Sequence, residues 1–327
     1  MEKLIRNTRV LVTGGAGFIG SNLVEALLQQ DNEVVCLDNF STGKRKNVEP
    51  FLQNNKFTLV EGDIRNLTDC NKAVEGVGVV LHQAALGSVP RSVKDPVTTN
   101  SVNIDGFLNM LVASRDAGVG RFVYASSSSV YGDHPGLPKV EKETGNLLSP
   151  YAVTKKVNEL YAGVFAGLYG METIGLRYFN VFGKRQDPEG QYAAVIPRFI
   201  RSLIRHSRPE IYGDGLQSRD FTYIDNVVHA NQAAALAPSA SVNTVYNIAF
   251  SERITLNELF GMLRDNLACF DSEIAGIEPK YVSERPGDIR HSLASIDKAT
   301  ELIGYQPQFP VREGLKKAIS WYWENLK

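Results

Sequence analysis

The sequence predicts an α/β fold in which a doubly wound parallel sheet is followed by a smaller α/β C-terminal domain. Two observations support this prediction. Apolar runs typical of buried strands alternate with helical patterns up to about residue 180, and a glycine-rich turn follows the first run. Such alternation produces a parallel sheet with helices on both faces, which binds its ligands beyond the carboxyl ends of the strands. We therefore expect functional residues directly after the predicted strands.

The first strand and its turn have the pattern of a dinucleotide-binding site. The apolar run at 9–13 leads to three glycines, Gly14, Gly17 and Gly20, and apolar residues recur at helical spacing from Ile19 onward. Because glycine lacks a Cβ atom, the backbone can approach a pyrophosphate at the N-terminus of the following helix. The segment therefore predicts the strand, turn and first helix of a Rossmann sheet.

The second predicted strand, Glu33–Asp38, ends in an acidic residue 18 positions after Gly20. A carboxylate at this place hydrogen-bonds a ribose 2′-hydroxyl and repels a 2′-phosphate. The predicted cofactor is therefore NAD rather than NADP.

Further strand-like runs continue the pattern. They lie at 57–61, 79–83, 121–127, 172–178 and 245–249. His82, inside one of these runs, is interpreted as a core histidine with a backbone partner. We predict a cofactor-binding domain made of residues 1–180 and 222–250, and a substrate domain made of 181–221 and 251–327.

Composition excludes several classes of protein. At 327 residues, with 43% apolar and 22% charged residues, the chain resembles an ordinary soluble globular protein. The net charge of −1 gives no field to hold nucleic acid or an anionic membrane, and no apolar run has transmembrane length. Cys36, Cys70 and Cys269 fit no metal-ligand spacing, so we expect no metal site and a reducing cytoplasm.

The stretch at 149–155 begins a helix and places two reactive groups on it. Ser149 is a favourable N-cap and Pro150 suits the first helical position. Tyr151 and Lys155 are four residues apart, so their side chains share one helix face. A phenolate at neutral pH needs a pKa about 3 units below its usual value, or about 4 kcal/mol, and an ammonium and a cationic nicotinamide ring supply the right charge. An ordinary surface helix is the alternative.

Two helices carry apolar stripes. The first contains Ile104, Phe107, Leu108 and Leu111, and the second contains Val157, Leu160, Tyr161, Val164 and Leu168. Burial within one subunit explains part of each stripe, and contact between helices of two copies explains more. The pattern alone leaves both interpretations open.

The C-terminal part contains clusters of charged residues. Arg198, Arg201 and Arg205 lie on one side of a helical pattern and are interpreted as a solvated basic face. The segments 219–221 and 285–288, Arg-Asp-Phe and Arg-Pro-Gly-Asp, are able to clamp a diphosphate or a sugar hydroxyl, with surface salt bridges as the alternative.

With these motifs in view, the chain resembles the extended short-chain dehydrogenases/reductases that act on nucleotide sugars. Three segments, 81–91, 131–141 and 177–183, resemble the bacterial UDP-N-acetylglucosamine 4-epimerases in particular. By this resemblance Ser127 occupies the catalytic Ser/Thr position, Tyr151 is the base and Lys155 is its partner. The partners implied are a UDP-sugar and a second copy of the chain, with no nucleic acid and no membrane.

The resemblance also implies the binding residues. Those expected around NAD are Gly14, Gly17, Phe18, Ile19, Gly20, Asp38, Asn39, Ser41, Thr42, Gly43, Asp63, Ile64, Gln83, Ala84, Ala85, Tyr151, Lys155 and Tyr178. Those expected around the UDP-sugar are Gly87, Ser88, Ser127, Ser128, Ser129, Asn180, Val195, Tyr212, Arg219, Arg285, Asp288 and Ser292. The small Ser292 implies room for an N-acetyl group at the sugar's C2′.

The reaction implied is the interconversion of UDP-N-acetylglucosamine and UDP-N-acetylgalactosamine through a 4-keto intermediate. Epimerisation of the corresponding UDP-uronic acids, or of UDP-glucose and UDP-galactose, stays open. Dehydratases and decarboxylases of this family have a sequence similar to Thr-Asp-Glu-Val-Tyr at the fifth strand. This chain has Ser-Ser-Ser-Val-Tyr at 127–131 instead. A non-catalytic NAD sensor is the alternative from another class.

Overall fold

The computed structural model describes residues 4–187, 194–284 and 290–326. The strands are β1 (Arg9–Thr13), β2 (Glu33–Asp38), β3 (Phe57–Glu61), β4 (Val79–His82), β5 (Arg121–Ser127), β6 (Thr173–Tyr178), β7 (Val181–Phe182), β8 (Glu210–Tyr212), β9 (Ser218–Arg219), β10 (Thr222–Tyr223), β11 (Thr244–Ile248), β12 (Ile254–Thr255) and β13 (Lys280–Val282).

The helices alternate with these strands. They are α1 (Phe18–Gln29), α2 (Leu67–Ala73), α3 (Val89–Lys94), α4 (Pro96–Asn100), α5 (Gly106–Asp116), α6 (Pro150–Tyr169), α7 (Val195–Ile204), α8 (Ile224–Ala235), α9 (Leu256–Ala268), α10 (Asp297–Ile303) and α11 (Val311–Asn325). A π-helical turn at Ser101–Asp105 joins α4 to α5, and 3₁₀ turns lie at Arg45–Asn47, Glu49–Phe51, Ser128–Tyr131, Ser239–Ser241 and Ser272–Gly276.

A seven-stranded parallel sheet forms the centre of the fold, as the sequence predicts. Its strand order is β11-β6-β5-β4-β1-β2-β3. The order reverses between β1 and β4, and this crevice is where doubly wound sheets bind dinucleotides. The expected strand bounds differ from the observed ones by one residue at β4, β6 and β11, within the usual uncertainty of element ends.

Both faces of the sheet are buried by helices. Val10 and Val12 belong to one apolar cluster and Leu11 to another, because alternate side chains of a strand point to opposite faces. Helices α1 and α8 contribute to the first cluster, and α2 and α5 to the second. The parallel strands therefore have the nearly continuous apolar sequences from which they are predicted.

Beyond β6 the chain builds a smaller C-terminal domain from short strand pairs and helices. Pairs β8–β13 and β9–β12 lie outside the main sheet, while β11 returns to it beside β6. The exact domain limits, and the role of this domain in holding the substrate, stay predictions. Within the described ranges, no helix is long and apolar enough to span a bilayer.

The two apolar stripes differ in exposure. Phe107 and Leu111 of α5 are buried in the core, so the first stripe belongs largely to the subunit interior. On α6, by contrast, Leu160, Val164 and Leu168 are 59%, 52% and 71% exposed. A contiguous apolar surface of this kind is typical of a contact between proteins.

We expect a homodimer that uses this face of α6. Substituting Leu160→Glu and Leu168→Glu together should produce monomers in light scattering at micromolar concentration, because two charges would be desolvated in the contact. Leu236→Glu, at a similarly exposed leucine elsewhere, is the matched control and should leave the dimer intact. A monomeric unmodified protein would refute the prediction.

Candidate active site

The glycine turn after β1 packs closely against the end of β4. Gly14 has φ +66°, and a Cβ atom there would lie 2.9 Å from the Ala84 Cα atom. A Cβ atom on Gly20 would lie 2.1 Å from the Gly14 carbonyl oxygen, so α1 starts directly on the turn. Gly17 is the N-cap of α1 and has no side chain that could accept a hydrogen bond from the first amide groups of the helix. The first amide groups of α1 are therefore available to an anion.

This turn forms one wall of a cleft of about 280 Å³ in the crevice between β1 and β4. Most of the predicted cofactor residues line it: Gly14, Gly17, Phe18, Ile19, Gly20, Asp38, Asn39, Ser41, Thr42, Asp63, Ile64, Gln83, Ala84 and Ala85, together with Gly87. Gly43 lies just behind, where a Cβ atom would come within 2.8 Å of the Asp38 carboxylate. The structure thus gathers residues that are up to 88 positions apart in the sequence, from Gly14 to Val102.

Asp38 is held rigidly at the end of β2. One carboxylate oxygen accepts from the Ala16 amide at 2.9 Å and the other from the Phe40 amide at 2.8 Å. Burial raises the pKa of Asp38, and these two amides oppose the rise. Each oxygen retains a further lone pair. The carboxylate can therefore still accept two hydroxyl groups of a ribose.

Two other groups shape the same cleft. Arg65 holds the pKa of Asp63 at about 2, and the Asn39 amide also donates to that carboxylate at 2.9 Å. The Tyr178 hydroxyl donates to Gln83 at 3.1 Å and accepts from Asn231 at 2.9 Å. Tyr178 is buried and does not line the cleft. Its hydrogen bond positions the side chain of Gln83, which does line the cleft.

His82 lies in the core, as expected, but its partner is a side chain. Its Nδ1 atom is 2.9 Å from the Thr13 hydroxyl, and its ring packs on Phe107 and Phe122. Burial lowers the pKa of His82 to about 3. The prediction of a backbone partner was wrong, because the parallel pairing of β1 and β4 places the Thr13 side chain directly opposite His82.

The predicted catalytic helix starts where the sequence indicates. The Ser149 hydroxyl accepts from the Ala152 amide at 3.1 Å, and Pro150 is the first residue of α6. Lys155 is buried and its ammonium donates to the Ala125 carbonyl at 2.7 Å, next to the carboxyl end of β5. Burial lowers the pKa of Lys155 to about 8. The ammonium is 6.0 Å from the centre of the Tyr151 ring.

Tyr151 meets the serine turn at the end of β5. Burial raises the pKa of Tyr151, and a hydrogen bond with the Ser127 side chain offsets part of the rise. The expected depression of this pKa by the Lys155 ammonium does not outweigh burial, and the ammonium donates to the Ala125 carbonyl. The protein groups alone therefore favour a neutral phenol.

Two serines at the carboxyl end of β5, Ser127 and Ser129, differ in their surroundings. Ser127 caps the 3₁₀ turn Ser128–Tyr131, and its hydroxyl accepts from the Ser129 amide at 3.1 Å. The Ser129 hydroxyl is buried and has no hydrogen-bond partner among the described residues. A buried hydroxyl without a partner at the end of a parallel strand is a candidate contact for a polar ligand.

A second cleft, of about 260 Å³, collects four of the predicted substrate residues. Asn180, Val195, Tyr212 and Arg219 all line it. The guanidinium of Arg198 lies 5.8 Å from the Tyr212 ring centre and also lines this cleft. The cleft offers an aromatic ring, an amide and two guanidinium groups, which suits a polar planar ligand with an anionic part.

Other predicted substrate residues lie nearby or cannot be placed. Ser88 caps α3 in a left-handed conformation with φ 105°, and the Ser292 amide donates to the Ser218 carbonyl at 3.0 Å, beside Arg219. Arg285 and Asp288 lie outside the described residues.

Asp220 has a structural role rather than the proposed clamping one. It is fully buried and accepts from the Ala294 amide at 3.1 Å and the Phe250 amide at 3.2 Å. Burial raises the pKa of this carboxyl to about 7. Its contact with Ala294 fixes the segment that carries Ser292.

The sequence and the fold were compared with those of known proteins. Residues 10–249 match the model of the NAD dependent epimerase/dehydratase family. The chain belongs to this family. It is 40% identical to the structure of a UDP-N-acetylglucosamine 4-epimerase from Methanobrevibacter ruminantium M1 in complex with UDP-N-acetylmuramic acid, with a TM-score of 0.90 over 97% of this chain and 99% of that one.

Two further relatives cover nearly the whole chain. A UDP-glucose 4-epimerase from Mycolicibacterium smegmatis is 35% identical over 96% of this chain and 98% of its own length. A UDP-glucuronic acid 4-epimerase from Bacillus cereus, solved with UDP-glucuronic acid and NAD, is 31% identical with a TM-score of 0.87, over 97% of this chain and 99% of that one. The cofactor of this family is NAD, and the first cleft, with its glycine turn and Asp38, fits that dinucleotide.

Sequence reasoning missed several residues that support the family's site. Asn103 is buried; its Oδ1 atom accepts from the Leu86 amide at 2.7 Å, and its amide donates to the Thr154 hydroxyl at 3.1 Å. Glu159 accepts from the Ser126 hydroxyl at 2.7 Å. A polar residue inside an apolar stripe was the available signal for Asn103, and an acidic residue one turn after Lys155 was the signal for Glu159.

We expect Asp38 to determine cofactor choice in this member of the family. Asp38→Ala should weaken NAD retention and reduce discrimination against NADP, because the charge that repels a 2′-phosphate is lost. Asp38→Asn is the matched control for packing, since it keeps an oxygen acceptor but not the charge. Cofactor released from denatured protein should be assayed for both dinucleotides. NADP copurifying with the unmodified protein would overturn the assignment.

Proposed function

We propose that the protein is an NAD-dependent 4-epimerase that interconverts UDP-N-acetylglucosamine and UDP-N-acetylgalactosamine through a 4-keto intermediate. Family membership and the paired clefts support a UDP-sugar 4-epimerase. The 40% identity to a UDP-N-acetylglucosamine 4-epimerase and the small Ser292 support the N-acetylated sugars.

Each catalytic side chain has a distinct task in this proposal. Bound NAD would supply reversible hydride acceptance at C4′ and, in its oxidised form, a positive charge that favours the phenolate. Tyr151 removes the proton of the 4′-hydroxyl, and Ser127 hydrogen-bonds the same oxygen and relays the proton. Lys155 holds the nicotinamide ribose. After the 4-keto sugar has turned about its diphosphate bond, Tyr151 would return the proton to the 4′-oxygen, which restores the hydroxyl in the inverted configuration.

The observation that carries the proposal is the absence of an acid on the serine turn. Dehydration needs a group to handle a proton at C5′, and the turn 127–131 contains no carboxylate. The nearby Glu159 is occupied, because it pairs with Arg177 at 2.8 Å and accepts from Ser126. Oxidation at C4′ is therefore not followed by removal of a proton at C5′. The 4-keto sugar is instead reduced again at C4′, which is epimerisation.

The experiment that tests this function is incubation of the purified protein with a panel of UDP-sugars, followed by proton NMR of the products. We expect the N-acetylhexosamine pair to interconvert with the highest kcat/KM. Faster conversion of the uronic acids, or of UDP-glucose and UDP-galactose, would overturn the substrate assignment but not the epimerase assignment. A 4-keto-6-deoxy product, or no turnover with any sugar, would overturn the latter.

Ser292 should act as the gate for the C2′ substituent. Its amide donates to the Ser218 carbonyl, next to Arg219 of the second cleft, so a tyrosine there would place a bulky side chain near this cleft. Overpacking by about 1 to 3 kcal/mol should lower kcat/KM for the N-acetylated pair by roughly one to two orders of magnitude in Ser292→Tyr. The non-acetylated pair serves as the internal control and should be largely spared. Equal losses for both pairs would show that Ser292 is no gate.

A further inference from the structure

A third, smaller cavity of about 150 Å³ lies outside both clefts and collects basic side chains. It lies between the turn at Arg45–Asn47, helix α7 and helix α11. Its cationic residues are Lys44, Lys46, Arg185, Arg201 and Arg205, and Trp321 forms part of the wall. Arg201 and Arg205 are two of the three arginines that the sequence alone assigns to a solvated face.

The positive charge in this cavity is only partly neutralised. Lys44 pairs with Asp187 at 2.8 Å, and Arg185 pairs with Glu25 at 3.0 Å. Within the described ranges, no ion pair joins a carboxylate to Lys46, Arg201 or Arg205. Like charges that converge on one site repel each other, and an anion between them removes this cost.

The size and donor set of the cavity define the ligand class. At about 30 Å³ for each water-sized group, 150 Å³ accommodates about five heavy atoms. A phosphoryl group has this size, and arginine forks together with lysine ammonium groups are the donors that phosphate oxygens prefer. We propose that the cavity binds a phosphate-bearing anion, which holds the loop beside the cofactor cleft against α7.

The position of the cavity gives this binding a consequence. Lys44 comes two residues after Thr42 of the cofactor cleft, and its amide donates to the Ala16 carbonyl of the glycine turn at 3.0 Å. On the other side, Arg201 follows Arg198 of the second cleft by one helical turn. An anion held by both Lys46 and Arg201 therefore bridges the two sides and slows the opening that lets NAD leave.

The binding test uses the purified protein with its bound NAD and titrates inorganic phosphate calorimetrically at constant ionic strength. Neither Arg201 nor Arg205 lines a cleft, so Arg201→Gln/Arg205→Gln removes only binding at the cavity. We expect at least tenfold weaker phosphate binding in this variant. The matched control, Arg312→Gln/Lys316→Gln, removes the same charge from exposed positions of α11 and should stay within twofold of the unmodified protein. Equal affinity in the first variant, or equal losses in both, would overturn the site.

A second measurement tests the bridge. The rate at which bound NAD passes to an excess of another NAD-binding protein that holds no cofactor should fall at least threefold when phosphate saturates the unmodified protein. The rate should not change in Arg201→Gln/Arg205→Gln. Binding without any effect on NAD release would contradict the bridging role. Neither result depends on which sugar the enzyme converts, so failure here and failure of the proposed function can be told apart.

Discussion

Tyr151→Phe should abolish nearly all turnover while the fold and the NAD content stay near normal. The substitution removes only the oxygen that exchanges a proton with the 4′-hydroxyl, and positioned acid–base groups contribute about 10² to 10⁴ in rate. Because Tyr151 lies at the start of α6 and its ring remains in place, no packing is lost. Turnover measured under saturating substrate, with circular dichroism and released NAD measured in parallel, separates loss of chemistry from loss of structure.

Tyr161→Phe provides the matched control, since it removes a phenolic oxygen from the same helix at a half-buried position away from Ser127. We expect it to retain full activity. Retention by Tyr151→Phe of more than about a tenth of kcat corresponds to a barrier change below ~1.4 kcal/mol and is incompatible with the assigned role.

Arg177→Met should destabilise the fold more than any other single charge removal described above, by about 3 to 5 kcal/mol. Arg177 and Glu159 form two hydrogen bonds of 2.8 Å, and their side chains are only 2% and 6% exposed. Methionine fills a similar volume. It leaves Glu159 charged and buried without the two hydrogen bonds and the positive charge of Arg177. Urea unfolding at a fixed protein concentration measures the difference.

The loss in free energy of unfolding caused by Arg177→Met should also depend on pH. The bonds from Arg177 and Ser126 outweigh burial and lower the pKa of Glu159. A lowered carboxyl pKa gives stability that is present above the unfolded pKa and lost as pH falls through the folded pKa. The difference between the two proteins should therefore be largest near neutral pH and should narrow in acid.

Lys280→Met is the matched control for this pair. Its partner is Glu210 at 3.0 Å, and both side chains are about half exposed, at 58% and 46%. Exposed pairs contribute about 0 to 1 kcal/mol, so we expect little change in unfolding. Equal losses in the two variants would contradict a special role for the buried pair.

Local signals account for what the sequence predicted correctly. The cap at Ser149, the glycine spacing from Gly14 to Gly20 and the acid at Asp38 each act over a few residues, and β2 appears with the expected bounds. Buried parallel strands are also simple to recognise, because both of their faces are apolar.

Contacts across the fold could not be predicted in the same way. Glu159 and Arg177 are 18 residues apart and meet only because α6 packs across β6. The apolar stripes of α5 and α6 have the same periodicity, yet Phe107 is in the core and Leu160 is exposed, since periodicity does not say what covers a face. The pKa of Tyr151 likewise depends on burial, which the spacing to Lys155 does not report.

Return of hydride to the carbon that lost it is the central claim, and a substrate labelled at that carbon tests it most directly. UDP-N-acetylglucosamine carrying deuterium at C4′ should be equilibrated with the purified protein in ordinary water and analysed by proton and deuterium NMR. We predict that both epimers carry the deuterium at C4′ and that none appears in the solvent. Protium at C4′ of the product, or transfer of the label to another carbon, would contradict the account.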